Sequence, residues 1–471
     1  MTEAKSPEKL ARTVISNGYC VGCGACASRD RSPFQMIMDE YGQFQSRLRE
    51  QPKGDQTEDD YEKICPFGAE APTEDKLAEA IYANDCAQDE HVGFYNGVFA
   101  GHVVEGDYRT HGSSGGMGSW ILNELLEKDL VDYVVHVKSD GIDEASNNIP
   151  FKYQVSATAE EVRQGGKSRY YPIEMSGVLK TIENIPVRYA IIGLPCFIKS
   201  IRLLQAQDQM LAERIKYCIG LVCGHLKSAH YAESLAWQMG ISPQSLNGID
   251  FRVKNDAGPA NRYGTYASDC HVEKVVPTNQ LFGADWGAGA FKYKACDFCD
   301  DVFAETADMV LGDAWLPQYV ADSSGTNVVV TRKPELLKLI QDARAEQRLA
   351  MDDLPVADAA RSQDAGLRHR KGAISYRLFL EQMQNRWVPS KRSSPAKHLT
   401  PKGEMKRQRL RTELRVLSHQ SFLRAKDGND LSVYLSSMRP VYLKYRRQGR
   451  SLINRLLHRI KRGVVSIARG D

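Results

Sequence analysis

The residues of this chain best suited to chemistry are its cysteines. The 471-residue sequence contains 11 of them, an odd number, and its first residues show no apolar segment of the secretory type. In a reducing compartment such a set argues against a disulfide framework. We therefore expect the cysteines to bind metal or to carry redox chemistry, and their spacing indicates which ones act together.

One group consists of three cysteines at intervals of three residues and a fourth that is distant in sequence. The motif CVGCGAC is followed later by a cysteine that precedes Pro66, the usual form of the remote ligand in bacterial ferredoxin-type sites. C-x2-C alone is also a zinc spacing, but the third cysteine favours a 4Fe–4S cluster, and the intervening glycines let the backbone bend around it. The predicted ligands are Cys20, Cys23, Cys26 and Cys65.

A second group combines a C-x2-C motif with two cysteines at the ends of predicted strands. Strand ends in an α/β sheet are where sites commonly assemble. The spacing leaves three possibilities open: zinc, an iron–sulfur cluster, or a redox pair beside two structural thiols. The four residues are Cys196, Cys223, Cys296 and Cys299. The remaining cysteines are interpreted as small buried apolar residues; they are Cys86, Cys218 and Cys270.

Two further segments are candidates for binding a nucleotide cofactor. Residues 112–116, GSSGG, precede a predicted helix, whose N-terminus favours an anion, although a plain helix cap would look the same. Residues 165–171, GGKSRYY, combine flexible backbone with cations, a hydroxyl group and aromatic rings, although a turn with solvated charges is the alternative. The candidate contacts are Ser113, Ser114, Gly115, Gly116, Gly166, Lys167, Ser168, Arg169 and Tyr170.

The elements that must position these residues alternate between strands and helices. Apolar runs predict strands at 130–137, 187–193, 218–223, 251–254 and 326–331, and helical periodicity predicts helices at 118–130, 199–205 and 229–240. Such alternation predicts an α/β fold. We expect four parts: a ferredoxin-like iron–sulfur segment at 1–90, an α/β part at 91–175, a second α/β domain with the other cysteine group at 176–390, and a basic helical tail at 391–471.

Charge is divided unevenly along the chain. Residues 391–471 carry 21 Lys+Arg and 5 Asp+Glu, a net charge of +16, whereas residues 1–390 carry a net charge of −13. The amphipathic stretch 452–464 predicts peripheral contact with an anionic membrane, or else packing against the body. No recognition motif accompanies the charge, so we expect no nucleic-acid binding. Because no apolar run of about 18 residues is present, we expect a cytoplasmic protein that is peripheral at the inner face of the membrane.

The ordered set of motifs resembles the coenzyme F-420 hydrogenase/dehydrogenase beta-subunit family, in its two-cluster branch that includes 7-hydroxymethyl chlorophyll a reductase. The resemblance covers about residues 15–340 and rests on CVGCGAC with Cys65 and Pro66, SSGGMGSWILNELLEKDLVDYVVHV, GGKSRYYP, IIGLPCFIKSIRLL, IGLVCG and ACDFCDDVFAETADMVLGDAW. It implies that residues 91–175 belong to a flavin-binding core, that FAD contacts both candidate nucleotide segments, and that each cysteine group binds one of two 4Fe–4S clusters.

The same resemblance implies an oxidoreductase that moves electrons between a ferredoxin-like or other redox protein, two clusters, FAD and a small-molecule substrate. A non-catalytic electron-transfer subunit of a larger redox complex would use the same motifs and is the alternative. A docking module with purely structural clusters is disfavoured by eight cysteines in two redox-type groups. The basic tail has no counterpart in the family core, and chains with such tails resemble proteins associated with bacterial polysaccharide biosynthesis.

Overall fold

The computed structural model describes residues 6–50, 60–139 and 150–448. The strands are β1 (Phe34–Met38), β2 (Phe44–Leu48), β3 (Ala87–Asp89), β4 (Gly93–Tyr95), β5 (Gly97–Val103), β6 (Tyr133–Ser139), β7 (Phe151–Ser156), β8 (Tyr189–Gly193), β9 (Ile215–Leu221), β10 (Gly248–Val253), β11 (Gly264–Ser268), β12 (Glu273–Pro277), β13 (Met309–Asp313), β14 (Asn327–Thr331) and β15 (Leu349–Asp353).

The α-helices are α1 (Ser6–Leu10), α2 (Ala25–Ser28), α3 (Tyr61–Ile64), α4 (Glu74–Tyr82), α5 (Tyr108–His111), α6 (Met117–Glu127), α7 (Ala159–Arg163), α8 (Ser176–Asn184), α9 (Pro195–Gln205), α10 (Gln209–Arg214), α11 (Ala229–Gln238), α12 (Pro317–Val320), α13 (Pro334–Ala345), α14 (Val356–Ser362), α15 (Asp364–Arg370), α16 (Ile374–Gln382), α17 (Lys402–Asp427) and α18 (Leu431–Gln448). Helices and strands alternate through most of the chain, which confirms the predicted α/β class.

One large sheet organises these elements. Its strand order is β15-β5-β14-β13-β9-β8-β6-β7. The four strands β13, β9, β8 and β6 run parallel to one another, and the strands on both sides of them pair antiparallel. Because parallel strands point the same way, the carboxyl ends of β8 and β9 lie at the same edge, and the second cysteine group begins there.

Alternate residues of β8 pack on opposite faces of the large sheet. Tyr189 and Ile191 belong to the core that includes α8 and α9, whereas Ala190 belongs to the core that includes α6 and α13. A strand covered on both faces reads as a continuous apolar run, as YAIIG does. Residues of the CVGCGAC loop share the core of α8 and α9, so the N-terminal cysteine loop packs against the helices that cover this face of the sheet.

The C-terminal helices pack against a second, smaller sheet. Apolar side chains of α17 and α18 share a core with α11 and with the three-stranded sheet β10-β11-β12. The described part of the basic tail is therefore packed onto the body, while the amphipathic stretch 452–464 lies outside the described residues. In residues 6–50, 60–139 and 150–448, no helix combines the length and apolar character needed to cross a membrane.

The predicted elements are present with shifted ends. The predicted strands correspond to β6, β8, β9, β10 and β14, and the predicted helices to α6, α9 and α11. The prediction that Cys196 ends a strand is wrong. Cys196 lies in the first turn of α9, because Pro195 is well suited to begin a helix. Cys223 likewise lies two residues beyond the end of β9.

Candidate redox site

The first cysteine group surrounds one cavity. All four predicted members line it, together with apolar side chains from α1, the turn that follows α1, and β1. The Sγ atom of Cys20 accepts hydrogen bonds from the main-chain N–H groups of Gly22 (3.4 Å) and Ser46 (3.3 Å). The Sγ atom of Cys26 lies 3.1 Å from the hydroxyl oxygen of Ser46. The fold thus brings together the four residues that the motif predicts, with amide and hydroxyl groups facing their sulfurs.

Two left-handed glycines give the CVGCGAC loop its shape. Gly22 has a φ of 69° and Gly24 a φ of 85°, a region that side-chain-bearing residues rarely adopt. A Cβ atom on Gly22 would come within 2.5 Å of the carbonyl oxygen of Phe44 in β2. On the other side, the N–H group of Met175 donates to the carbonyl oxygen of Cys23 at 2.9 Å. The loop is therefore held between β2 and the start of α8.

Burial raises the pKa of every thiol in this group. It raises the pKa of Cys23 to about 11, and it raises the pKa of Cys65 well above the usual range, where the other three thiols add to the effect. Metal binding must displace such protons, so affinity for a cation at this position depends on pH.

The second cysteine group assembles beside the ends of β8 and β9. Cys196 and Cys223 follow these strands, and Cys296 and Cys299 come from the short 3-10 turn Ala295–Phe298 and the residue after it. Burial raises the pKa of Cys196, and the thiols of the other three raise it further. The N–H group of Leu226 donates to the Sγ atom of Cys296 at 3.3 Å.

A single arginine enters this second group from α15. Arg370 is 1% exposed. Its guanidinium donates to the Sγ atom of Cys299 at 3.0 Å and, more weakly, to that of Cys223 at 3.6 Å. The main-chain oxygens of Gly224 and Asp301 accept its other N–H groups. Burial raises the pKa of Cys299, and the charge of Arg370 opposes that rise.

The two cysteine groups are neighbours. The side chain of Ser200 in α9, the helix that begins beside Cys196, lies close enough to Cys23 of the first group to lower the pKa of its thiol. Burial raises the pKa of Tyr153 on β7, and the thiols of Cys196 and Cys23 both contribute. One member of each group therefore lies close to the same tyrosine. Among the described residues, no set of three or more His, Cys, Asp or Glu side chains is spaced to hold a single metal ion.

Asp297, inside the second C-x2-C motif, binds several buried cations. Lys292 donates to its carboxylate, and the Nε atom of Arg415 lies 3.0 Å from its Oδ2 atom. Burial alone would raise the pKa of Asp297, but Lys292, His369 and Arg415 together hold it well below its usual range. Since Arg415 belongs to α17, the C-terminal helix is tied directly to the loop that carries Cys296 and Cys299.

The two candidate nucleotide segments contact each other. The N–H group of Ser168 donates to the hydroxyl oxygen of Ser113 at 2.8 Å. Lys254 donates to the carbonyl oxygen of Ser114 at 3.0 Å. Lys167 and Arg169 line a cavity of about 490 Å³, a volume typical of small-molecule sites. The Nε atom of Arg169 is buried without a hydrogen-bond partner.

Other candidates in these segments are used by the protein itself. The hydroxyl group of Ser114 donates to the carbonyl oxygen of Thr326 at 3.1 Å. A Cβ atom on Gly115 would come within 2.8 Å of the carbonyl oxygen of Gly101, and Gly116, with a φ of 89°, is the N-cap of α6. A Cβ atom on Gly166 would lie 3.2 Å from the hydroxyl of Ser119. These glycines therefore serve packing and helix capping, the alternative interpretation of this sequence.

An aromatic series links the second nucleotide segment to the second cysteine group. The ring of Tyr170 lies 4.6 Å from that of Trp286, which stacks on His225 at 4.5 Å. His225 is two residues after Cys223, and its Nε2 atom is buried without a partner. Lys227 adds a cation 4.8 Å from the ring centre of Trp286. No pattern in the sequence distinguishes Trp286, because an aromatic residue in a polar loop is usually only a packing residue.

Two family models match the chain, and both describe the beta subunit of coenzyme F420 hydrogenase/dehydrogenase. The model of the N-terminal part of that subunit matches residues 98–180, and the model of its C-terminal part matches residues 187–356. The matches together cover more than half of the sequence. The chain belongs to the coenzyme F420 hydrogenase/dehydrogenase beta-subunit family. This confirms the predicted resemblance and makes the chain an iron–sulfur electron-transfer component of the oxidoreductase class.

A solved structure is also similar to this beta-subunit-family chain. It is a chain of the F420-reducing [NiFe] hydrogenase complex from Methanosarcina barkeri, in a xenon-derivatised structure. The two are 13% identical, with a TM-score of 0.49, and the alignment covers 65% of this chain and 100% of that one. Comparison with curated proteins gives no match.

The family matches include some of the site and leave out other parts of it. The second cysteine group and both nucleotide segments lie within residues 98–356. The first cysteine group precedes this range, and Arg370 and Arg415 follow it. The family core of this chain is thus extended at both ends by residues that contact the cysteine groups.

The three cysteines left over by the sequence prediction have different surroundings. Cys218 is fully buried, in keeping with the expectation of small buried apolar residues, whereas Cys86 is only half-buried and its Sγ donates to the carbonyl oxygen of Arg332 at 3.1 Å. The expectation is wrong for Cys270, which is exposed. This residue lies in the turn between β11 and β12, where no second layer covers the chain.

Proposed function

We propose that this chain is an oxidoreductase dependent on FAD and two 4Fe–4S clusters, which moves electrons between a ferredoxin-like partner and a small organic substrate. The observation that carries the proposal is the assembly of eight cysteines into two adjacent groups of four. When bound, the clusters would transfer single electrons, and the flavin would couple them to transfer of an electron pair or hydride.

The donors present at both cysteine groups suit such clusters. Four thiolates are the usual ligand set of a 4Fe–4S cluster, and each group supplies four buried or half-buried cysteines. Main-chain N–H groups from Gly22, Ser46 and Leu226 point at sulfur atoms, as hydrogen bonds that tune cluster potentials do. The proposed ligands are Cys20, Cys23, Cys26 and Cys65 for one cluster, and Cys196, Cys223, Cys296 and Cys299 for the other.

The proposed FAD site lies where the two nucleotide segments meet. Lys167 and Arg169 offer positive charge and an unpartnered N–H group to a diphosphate, and Lys254 holds the backbone of Ser114 beside them. Burial, with Arg109 and Lys167 nearby, lowers the pKa of Lys254 to about 8. Such crowding of cations is what an anionic ligand would relieve.

The order of these parts along the fold supports a route for electrons. The first cysteine group adjoins the second through Cys23 and Cys196. The second adjoins the nucleotide segments through His225, Trp286 and Tyr170. A redox protein docking over the N-terminal segment would therefore supply the first cluster, and the substrate would react at the far end, beside the flavin.

Anaerobic purification followed by iron and flavin counts tests this proposal. We expect about eight irons, from two four-iron clusters, and one FAD in each chain, with the absorption of both cofactor types. A chain that holds one zinc and neither iron nor flavin would contradict it.

A second candidate function is that of an electron-transfer subunit without its own substrate. The family description as a beta subunit favours it, because a beta subunit works within a larger complex. Reduction of an organic substrate by the purified chain would support the enzyme. Activity that appears only in a stable complex with another protein would support the subunit.

We further propose that the basic tail contacts an anionic membrane at the inner face, as the amphipathic stretch 452–464 suggests. Leu443, near the described end of α18, is 54% exposed among Arg439, Lys444 and Arg447. Vesicles containing anionic lipid should retain the full chain in flotation, and a chain ending at Gln448 should lose that binding. Equal flotation of both would exclude a role for residues 449–471.

The setting of the reaction is proposed from the tail alone. Its resemblance to tails of proteins in bacterial polysaccharide biosynthesis suggests a saccharide-related substrate that is processed near the membrane. Deletion of the gene would then be expected to change the exported polysaccharide, and unchanged polysaccharide would remove this part of the proposal without affecting the cofactor assignment.

A further inference from the structure

We infer that Arg370 sets the reduction potential of the cluster at the second cysteine group and places it above that of the cluster at the first. The inference rests on the proposed function, because it requires that both groups hold 4Fe–4S clusters. It gives a role to a residue that lies beyond the family match, which ends at residue 356, and outside every cysteine motif.

The guanidinium of Arg370 is fixed in position by burial and by main-chain hydrogen bonds. Arg370 is 1% exposed, and the carbonyl oxygen of Gly224 accepts from both its Nη2 atom at 2.6 Å and its Nε atom at 3.1 Å. The carbonyl oxygen of Asp301 accepts from Nη1 at 2.6 Å. With its planar fork fixed by main-chain acceptors on two loops, the same guanidinium reaches the sulfurs of Cys299 and Cys223. Arg370 therefore bridges two of the four ligands.

A cation in this position favours the reduced cluster. A 4Fe–4S cluster with four thiolates is an anion, and reduction adds one more negative charge without a proton. Hydrogen bonds to the sulfurs and nearby charge are main determinants of cluster potential, and a buried charge acts with little screening. Arg370 stabilises the more negative state more strongly, which raises the potential.

The surroundings of the first cysteine group differ, because acids lie beside both groups but, within the described part of the chain, only at the second do buried cations oppose them: Arg370 and Lys391 counter Asp300 and Asp301 beside Cys299. The sulfurs of the first group face main-chain N–H groups and a serine hydroxyl, and among the described residues no lysine or arginine is hydrogen-bonded to them. The carboxylate of Glu174 lies against its loop, where a Cβ atom on Gly24 would come within 2.3 Å of Oε2. Neutral donors stabilise the added electron less than a cation does, and a nearby acid opposes it. The cluster at the first group therefore has a lower reduction potential than the cluster beside Arg370.

The difference assigns a direction to the pair. With clusters bound at both groups, an electron passing from the first to the second would oxidise the first by one electron and reduce the second by one. The step releases free energy because the second has the higher potential. Electrons that arrive at the N-terminal segment are thus drawn toward the flavin segments.

Redox titration of the full-length chain, prepared anaerobically and followed by electron paramagnetic resonance, tests the inference. The variants are Arg370→Gln, which removes the charge, and Arg370→Lys, which keeps the charge but loses the fork. The matched control is Arg368→Gln, on the same helix, with a side chain 66% exposed and paired with Asp364. Signals are assigned to the two groups with Cys26→Ala and Cys299→Ala.

For Arg370→Gln we expect the equilibrium constant for reduction of the second cluster to fall at least about tenfold, which is about 59 mV for one electron. The first cluster should be unchanged, Arg370→Lys should give a smaller fall, and Arg368→Gln should match the wild type. If Arg370→Gln does not retain the second cluster, the Arg370→Lys variant is used instead. A second cluster in Arg370→Lys with the same reduction potential as in the wild type would overturn the inference.

Two results separate the possible failures. Wild-type chain without iron would mean that the proposed function has failed, whereas retained iron with unshifted potentials in both Arg370 variants would overturn only the role of Arg370. A second cluster that lies below the first in the wild type would overturn the assigned direction.

Discussion

The two cysteine groups present the same four side chains in different surroundings. The first draws its members from residues 20–65, and amide and hydroxyl groups from the same stretch face its sulfurs. The second draws its members from residues 196–299 and receives Arg370 and, through Asp297, Arg415 from still later in the chain. Under the proposed function, ligand spacing would thus indicate where a cluster binds, while residues recruited from a distance would adjust its potential.

Removing one ligand from each group gives the largest effect and tests whether the groups are separate. Cys26→Ala and Cys299→Ala should each lose about four of eight irons, because each belongs to a different four-iron site. Iron content and absorption of the purified chains measure this. If either variant lost all of its iron, the two groups would form one site. The control is Cys270→Ala, which removes an exposed cysteine outside both groups and should cause no loss of iron.

The acid inside the second motif offers the next test. Asp297→Asn leaves the fully buried Lys292 and the half-buried Arg415 without their counter-charge, which should cost about 3–5 kcal/mol in the free energy of unfolding and weaken cluster binding at the second group. Denaturant unfolding and iron counts report both. Asp342→Asn, which breaks an exposed pair with Lys338, should cost at most about 1 kcal/mol. If Asp297→Asn and Asp342→Asn lowered the free energy of unfolding equally, Asp297 would not be needed to hold the loop of the second cysteine group.

The loop of the first group is tested through its left-handed glycine. Gly22→Ala would force a side chain into positive φ and against the carbonyl oxygen of Phe44, which should cost about 1–3 kcal/mol and weaken only the first cluster. The control is Gly177→Ala in α8, where an added Cβ atom meets nothing within 4 Å and should stabilise the helix by about 1 kcal/mol. Thermal unfolding distinguishes the two variants. Preferential loss of the second cluster from Gly22→Ala would contradict the assignment of this loop to the first cluster.

The smallest expected effect concerns access. Cys20 and Cys65 of the first group are half-buried, whereas only Cys196 of the second is. An iron chelator added anaerobically should therefore remove the first cluster a few-fold faster than the second. The loss of each cluster is followed by its own paramagnetic signal. Equal rates of loss would show that the difference in ligand burial does not control access of the chelator to the clusters.

The sequence predicts the buried strands, and its spacing proposes the two cysteine groups, for related reasons. β8 and β9 are covered on both faces, so their apolar character is continuous and local. The spacing of CVGCGAC is likewise a local property, since three sulfurs on one short loop can reach one cluster. By contrast, β15 was not predicted, because it is an edge strand that contains Asp352 and Asp353, and edge strands often carry charge.

The parts of the site that depend on long-range packing could not be predicted. Arg370 lies in the sequence GLRHRKG, where nothing separates it from exposed neighbours such as Arg368. The stretch that begins KRSSPAKH looks like a linker, yet Lys391 is buried beside Asp300, and Arg392 pairs with Asp300 and Glu305. Glu305 and Asp301 are likewise buried although they are acidic. Their partners are set only by the fold.

The late position of Arg370 and Arg415 has a consequence for biogenesis. Chains fold progressively as they leave the ribosome, N-terminal regions first, so the first group has its four cysteines, with Gly22 and Ser46, soon after residue 65 emerges, whereas the packing of its loop against Met175 and Ser200 comes later. The second group has its four cysteines by residue 299 but lacks Arg370 of α15, and α17, which anchors its loop through Arg415, until those later helices have been synthesised. If the second group binds a cluster as proposed, iron delivery to it would follow the synthesis of α15 and α17, and a chain that stops before residue 370 would lack the arginine that contacts two of its cysteines.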